Sequence, residues 1–294
     1  MKTRLISGTV YVLILVAFYL LKIFVHDFFF DGLIYAFALL GVFELNRAFK
    51  DKTTKAQKVC STAFACLIVP ATALMQYFYT AGLLTALIGL FLYAMVVLAL
   101  LVFDYENTSV ESVGVSLFAG VYPSLLLCVM SLVNHAEITS LQALGFNSNL
   151  FILLIFVISP IADSFAYLFG CGLGKKFPKK MSPKISPNKT VIGGIGGLFG
   201  GLVGACAVYF IYNAVAGGFT DMAIWLPVYL AIGLIVAVFT AFGDLIESAI
   251  KRKVGIKDMG KIMPGHGGAL DRIDGSMYAS LAIYLCYILI GAII

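Results

Sequence analysis

Five carboxylates and six basic side chains fall between Phe242 and Asp274, although the 294-residue chain has only 15 acidic and 20 basic residues. Asp244, Glu247, Ser248, Lys251 and Arg252 are spaced i, i+3, i+4, i+7 and i+8. On a helix that spacing aligns them along one face, acid below and base above. Asp271 and Asp274 repeat the i, i+3 interval. Carboxylates of this kind suit Mg²⁺, a hard cation commonly held by one or two acidic side chains together with phosphate oxygens and water. The expectation is that Asp244 and Asp271 share such an ion and that Asp274 supports it.

Between these acids runs Met263-Pro264-Gly265-His266-Gly267-Gly268. Proline lacks an N–H and the glycines free the backbone, so this run is a tight loop able to turn N–H groups toward anionic oxygens. Lys251, Arg252, Lys257, Lys261 and Arg272 flank it, which is enough positive charge for a triphosphate, and His266 can donate to a phosphate oxygen. A second polar stretch, Ser159 to Thr190, starts from Asp163 inside an apolar run, where an ionised carboxylate is expensive unless it meets a partner or a polar cavity. Glycines at 170, 172 and 174 and Lys175 and Lys176 lead from it to the surface, and Ser186 and Lys189 return.

Both stretches need elements that hold them at a membrane. The chain is 61% hydrophobic and 12% charged with a mean hydropathy of +1.01, which excludes an ordinary soluble domain. Nine apolar runs approach the roughly 20 residues that cross a bilayer as a helix. They lie at about 6–25, 28–46, 59–79, 81–103, 112–133, 148–171, 191–214, 223–248 and 274–294. The fold class expected is an all-α polytopic membrane protein, with no strand required. Lysine and arginine are retained on the cytoplasmic side. With the N-terminus inside, nineteen of the twenty basic residues share that side and Lys22 is the exception. The expected topology is N-in and C-out, with the active site at the cytoplasmic face of the inner or plasma membrane.

Helices one to five, residues 1–147, form an N-terminal region in this reading. Residues 148–294 form the catalytic one, with cytoplasmic loops 172–190 and 249–273. Span seven carries two small-residue ridges, Gly193/Gly197/Gly201 and Gly196/Gly200/Gly204, that let neighbouring helices approach its backbone. An intramolecular contact and a homodimer seam would use the same surface. The six cysteines are scattered singly with no CxxC pair, so neither zinc nor a disulfide framework is expected.

At the spacing in which they occur, Ser248, Lys251, Arg252, Lys257, Asp258, Gly260, Pro264, His266, Gly267, Gly268, Asp271, Arg272, Ile273 and Asp274 resemble the signature of the phosphatidate cytidylyltransferase family. Gly243-Asp244-Leu245 with Glu247, Ala162-Asp163-Ser164 with Ala166-Tyr167, and Ser186-Pro187 with Lys189-Thr190 extend the likeness over about Ser159 to Asp274. Met263, Ala269 and Gly275 depart from the usual pattern.

The resemblance implies transfer of CMP from CTP to phosphatidic acid, giving CDP-diacylglycerol and pyrophosphate in a Mg²⁺-dependent, membrane-embedded, commonly dimeric enzyme. It assigns metal binding to Asp244 and Asp271, and associates a monovalent cation such as K⁺ with the same centre. From their own chemistry, beside the resemblance, Lys251 and Arg252 are placed in catalysis, binding the triphosphate. Lys257, Ser248, His266, Gly267, Gly268, Arg272, Asp163, Ser186 and Lys189 are placed against the substrates. Membrane lipids are the expected surroundings, and no nucleic-acid partner is implied. Two other chemistries fit the same residue types. A CTP-dependent lipid kinase would transfer the γ-phosphate instead, and product analysis separates the two. A cation-coupled transporter would use Asp163 and Asp244 as ion sites, but the polar residues gather at one face and no internal repeat is evident.

Overall fold

The apolar runs fold as helices in the computed structural model, which describes residues 2–136, 146–216, 222–265 and 267–293. Among the described residues, nine helices are long and apolar enough to cross a membrane. They are α1 (Lys2–Phe24), α2 (Phe28–Ala48), α3 (Lys55–Tyr79), α4 (Gly82–Phe103), α5 (Val110–Asn134), α6 (Ser148–Leu173), α7 (Val191–Ala216), α8 (Met222–Val254) and α9 (Leu270–Ile293). Each expected span overlaps one helix, consistent with a polytopic membrane protein. The helix ends extend past the apolar runs wherever local chemistry supports them. Thr54 with Gln57 and Ser109 with Ser112 form capping boxes at the starts of α3 and α5, satisfying backbone N–H groups that a helix leaves unpaired. Past the apolar part of α8, its amphipathic stripe continues the helix to Val254.

The expectation that no strand is required is overturned after α6. Lys180–Ser182 (β1) and Ser186–Thr190 (β2) pair antiparallel as a hairpin. Pro183 and Pro187 interrupt helical hydrogen bonding in this stretch, and its lysines favour water. An extended, largely exposed ribbon therefore connects α6 to α7.

The chain divides into two compact units, one comprising Met1–His135 with Val254–Ile273 and the other Ala136–Lys253 with Asp274–Ile294. The loop that follows α8 therefore packs with the first five helices. Within the first unit, Lys22 is almost fully buried; it is ion-paired with Asp27 and donates to the Asn134 carbonyl at 3.2 Å. The one basic residue that departs from the charge asymmetry is thus neutralised inside the protein. Asp31 accepts from Ser131 at 2.7 Å and contacts His135 at 2.5 Å, tying α2 to the end of α5.

The second unit is built on the glycine ridges of α7. Gly196, Gly200 and Gly204 lie against α6, where an added Cβ would meet Phe169, Phe165 or Ile158. Gly201 faces Gly233 of α8 so closely that a Cβ on either would come within 2.5 Å of the other's carbonyl oxygen. The ridges serve contacts within one chain, and dispersion between closely approaching backbones stabilises them where water is absent.

Candidate active site

The site residues read from the sequence fall into two groups, one in each unit. In the first unit, the segment after α8 cannot be helical and instead folds back on itself. Met263 and Gly267 form an isolated antiparallel bridge, with the Met263 N–H on the Gly267 carbonyl at 2.9 Å. Gly265 and Gly267 have φ of +78° and +89°, a region that side-chain-bearing residues rarely adopt, and this is why the turn needs glycine. Around the turn lies a cleft of about 570 Å³ lined by Lys257, Asp258, Gly260, Lys261, Met263, Pro264, Gly265, Gly267 and Arg272. Its size falls in the range of small-molecule sites. Three cations against one carboxylate give it a net positive field, suited to a polyanion. His266 lies outside the described residues.

The base of this loop is fixed by carboxylates. Asp271 is 8% exposed, and its Oδ2 accepts the N–H groups of Met259 and Gly268, each at 2.8 Å. One oxygen therefore clamps the two ends of the glycine turn. The Gly268 N–H is directed at Asp271, while Gly265 and Gly267 line the cleft. From α1, Ser7 donates to the Pro264 carbonyl at 3.0 Å and Tyr11 to the Arg272 carbonyl at 3.4 Å, so the first helix backs the loop.

Sequence reasoning missed Glu44. Its carboxylate, 1% exposed, accepts from the N–H groups of Ala269 and Leu270 at 2.9 Å each, at the first turn of α9. The available signal was an acid near the end of the apolar run of α2, because an ionisable group inside such a run demands a partner.

In the second unit, α8 carries the predicted stripe. Asp244 Oδ2 is ion-paired with Lys189 at the end of the hairpin, and Ser248 Oγ donates to Asp244 Oδ1 at 3.3 Å. One turn on, Glu247 is fully buried and its Oε2 lies 3.4 Å from Lys251 Nζ. Asp274, in the first turns of α9, lies beside Glu247 and feels the charges of Asp244 and Lys251. Arg252 Nε donates to the Ile185 carbonyl at 3.3 Å, so it pins the tip of the hairpin to α8 beside Ser186. Asp163 sits on the exposed face of α6, one turn before Tyr167. Gly275 follows Asp274 because a Cβ there would meet Thr240 at 2.8 Å and Ser159 Oγ at 3.1 Å.

Three carboxylates, Asp244, Glu247 and Asp274, thus face two cations, Lys189 and Lys251, in one half-buried patch. Carboxylates brought this close repel one another, and a divalent cation offsets that repulsion. Carboxylate oxygens are the donor type that Mg²⁺ takes. Among the described residues no group of three or more His, Cys, Asp or Glu side chains could hold a metal ion, so these three carboxylates do not by themselves form a closed metal site.

The cytidylyltransferase family model matches residues 2–290, nearly the whole chain. The chain belongs to the cytidylyltransferase family. Among its relatives, phosphatidate cytidylyltransferase of Staphylococcus aureus strain COL is 44% identical over 128 residues, covering 44% of this chain and 45% of that protein. The enzyme of that name from Thermotoga maritima is 32% identical over 143 residues, 48% of this chain and 50% of its own. The one from Staphylococcus haemolyticus is 41% identical over 128 residues, 44% of this chain and 45% of its own. Each match spans about half the length of the relative.

Proposed function

We propose that this chain is a phosphatidate cytidylyltransferase of a bacterial type, inserted N-in and C-out with its active site at the cytoplasmic face. The observation that carries this reading is the cationic cleft around the glycine turn, with Lys257, Lys261 and Arg272 on its walls and Asp271 clamping its base. Family membership narrows the polyanion to CTP, and the names of the relatives point to phosphatidic acid as acceptor.

The phosphate monoester of phosphatidic acid is already anionic near neutral pH, so its oxygen needs no strong base to become a nucleophile. It attacks the α-phosphorus of CTP, the new P–O bond forms, and the bond to the β-phosphate bridging oxygen breaks to release pyrophosphate. Charge migrates to that leaving group, and positioned cations stabilise it more than they stabilise bound CTP. Lys257, Lys261 and Arg272 supply those charges, and Gly265 and Gly267 let the phosphates approach the backbone. Lys251 and Arg252 are assigned to catalysis as cations for the triphosphate. The described contacts give them supporting work as well, Lys251 on buried Glu247 and Arg252 on the hairpin that presents Ser186 and Lys189. Asp163, Ser248, Ser186, Lys189, His266 and Gly268 are kept as substrate-side residues from their chemistry and their places in the sequence.

Asp244 and Asp274 would hold Mg²⁺, and Asp271 is assigned with them by the resemblance. When bound, the ion polarises the α-phosphate and neutralises the departing pyrophosphate. K⁺ at the same centre and a homodimeric assembly rest on the resemblance alone.

The deciding experiment uses purified protein, phosphatidic acid, Mg²⁺ and CTP radiolabelled at either the α- or the γ-phosphate. Label from the α-position entering the lipid phase, with γ-label released as pyrophosphate, is the expected result. Label from the γ-position in the lipid would make the protein a kinase and overturn the assignment.

A further inference from the structure

Glu44 has no place in the residue pattern that carries the resemblance, yet its carboxylate meets the candidate cleft's framework more directly than most residues that do. We infer that Glu44 of α2 is a positioning residue for the nucleotide loop, fixing the start of α9 and thereby the geometry of the cationic cleft. The inference rests on the reading that this cleft takes the triphosphate of CTP.

A buried carboxylate is costly unless its oxygens are satisfied. Here both are, Oε1 by Ala269 N–H and Oε2 by Leu270 N–H, each at 2.9 Å. These are charge-assisted bonds to the positive end of a helix, the strongest class available to an uncharged donor. The acceptor is remote, 225 residues earlier than Ala269. Helices α3 and α5 are capped from their own sequence by Thr54 and Ser109. The residue before α9 is Ala269, whose side chain cannot cap anything. The start of this helix is therefore keyed to α2 and not to its own loop.

The loop also closes directly over Glu44. An added Cβ on Gly260 would lie 2.1 Å from Glu44 Oε1, and one on Gly268 would lie 2.3 Å from it. Gly260 and Gly267 line the cleft, Gly268 follows them, and Asp271 and Arg272 occupy the helical turn that Glu44 holds. Glu44 and Asp271 between them accept four backbone N–H groups, those of Met259, Gly268, Ala269 and Leu270. Removing the Glu44 charge releases one end of this clamp while leaving every cleft-lining side chain in place.

The test compares wild type with Glu44→Gln and Glu44→Asp in detergent micelles. Gln keeps the size but offers an NH₂ where a second acceptor is needed; Asp keeps the charge but is one methylene short. Hydrogen exchange over residues 257–271 is read without any ligand, followed by CTP binding by calorimetry and by kinetics with CTP and phosphatidic acid varied separately. Glu44→Gln should speed exchange in this segment alone and weaken CTP about tenfold, equivalent to losing about 1.4 kcal/mol. The KM for phosphatidic acid should stay near its wild-type value, and Glu44→Asp should fall between the other two. Unchanged exchange, or lowered kcat with unchanged CTP affinity, would overturn the inference. If Glu44→Gln does not fold, the exchange pattern of Glu44→Asp decides in the same way. A wild-type protein that binds CTP yet forms no CMP-lipid would sink the reaction reading and leave the role of Glu44 to the exchange and binding results.

Discussion

Lys189 Nζ is ion-paired with Asp244 Oδ2, joining the end of the hairpin after α6 to the acidic stripe of α8 within one unit. Neither residue is fully buried, with side-chain exposures of 29% and 31%, so the pair remains within reach of water and of a substrate phosphate. Replacing Asp244 by Asn removes that charge without changing the side chain's size. Turnover should fall by about 100-fold or more, the range seen when a transition-state interaction is lost. The Mg²⁺ concentration for half-maximal rate should rise, and membrane yield should stay normal. Initial rates across a Mg²⁺ titration, after chelation of endogenous metal, check this.

Lys189 and Asp244 should also be energetically coupled. The expected losses in kcat/KM for Lys189→Met and Asp244→Asn are not additive in the double variant, with a coupling of about 1–3 kcal/mol as for contacting charges. A double-mutant cycle measures it. Strict additivity would place Lys189 on the substrate independently of Asp244.

The cleft in the first unit makes a separate prediction. Lys257→Gln, Lys261→Gln and Arg272→Gln each remove one cation from its wall, and each should raise the KM for CTP about tenfold, or about 1.4 kcal/mol. The KM for phosphatidic acid should change little. Raising ionic strength should weaken CTP in the wild type more than in these variants, because exposed charges are screened. Steady-state kinetics at two salt concentrations distinguish this from a general loss of active protein.

Asp271 holds two N–H groups on one oxygen, so its charge supports the loop as well as any metal role. Asp271→Asn should abolish Mg²⁺-dependent turnover and increase hydrogen exchange at the amides of Met259 and Gly268. Near-normal activity would remove it from the active centre. Exchange mass spectrometry alongside the radiolabel assay reads both consequences in one preparation.

The facing glycines of α7 and α8 predict a stability effect far from the chemistry. Gly201→Ala or Gly233→Ala would place a methyl group against the opposing backbone, costing about 1–3 kcal/mol for an overpacked contact. Gly172→Ala, where nothing lies within 4 Å, should be tolerated. Thermal unfolding in detergent ranks the three variants.

The amino-acid sequence by itself determined the helices, because crossing a bilayer requires every backbone N–H and C=O to be satisfied within the segment. Long apolar runs have no other solution, and their number and positions were legible from hydropathy. The stripe Asp244, Glu247, Ser248 and Lys251 was equally legible, since i, i+4 neighbours meet on any helix. The glycine turn followed from Pro264 and its glycines. What only the tertiary structure decided were contacts between residues far apart in the chain. Glu44 reaches Ala269 across 225 residues, Lys189 reaches Asp244, and Ser7 reaches Pro264. Nothing local in α2 marks the partner of the buried Glu44, because side-chain periodicity records which face is apolar and not which backbone will lie against it. The short hairpin was hidden for a related reason. Its pairing joins Lys180 to Thr190 across a lysine-rich stretch without an apolar pattern, and only the fixed ends of α6 and α7 bring those strands together.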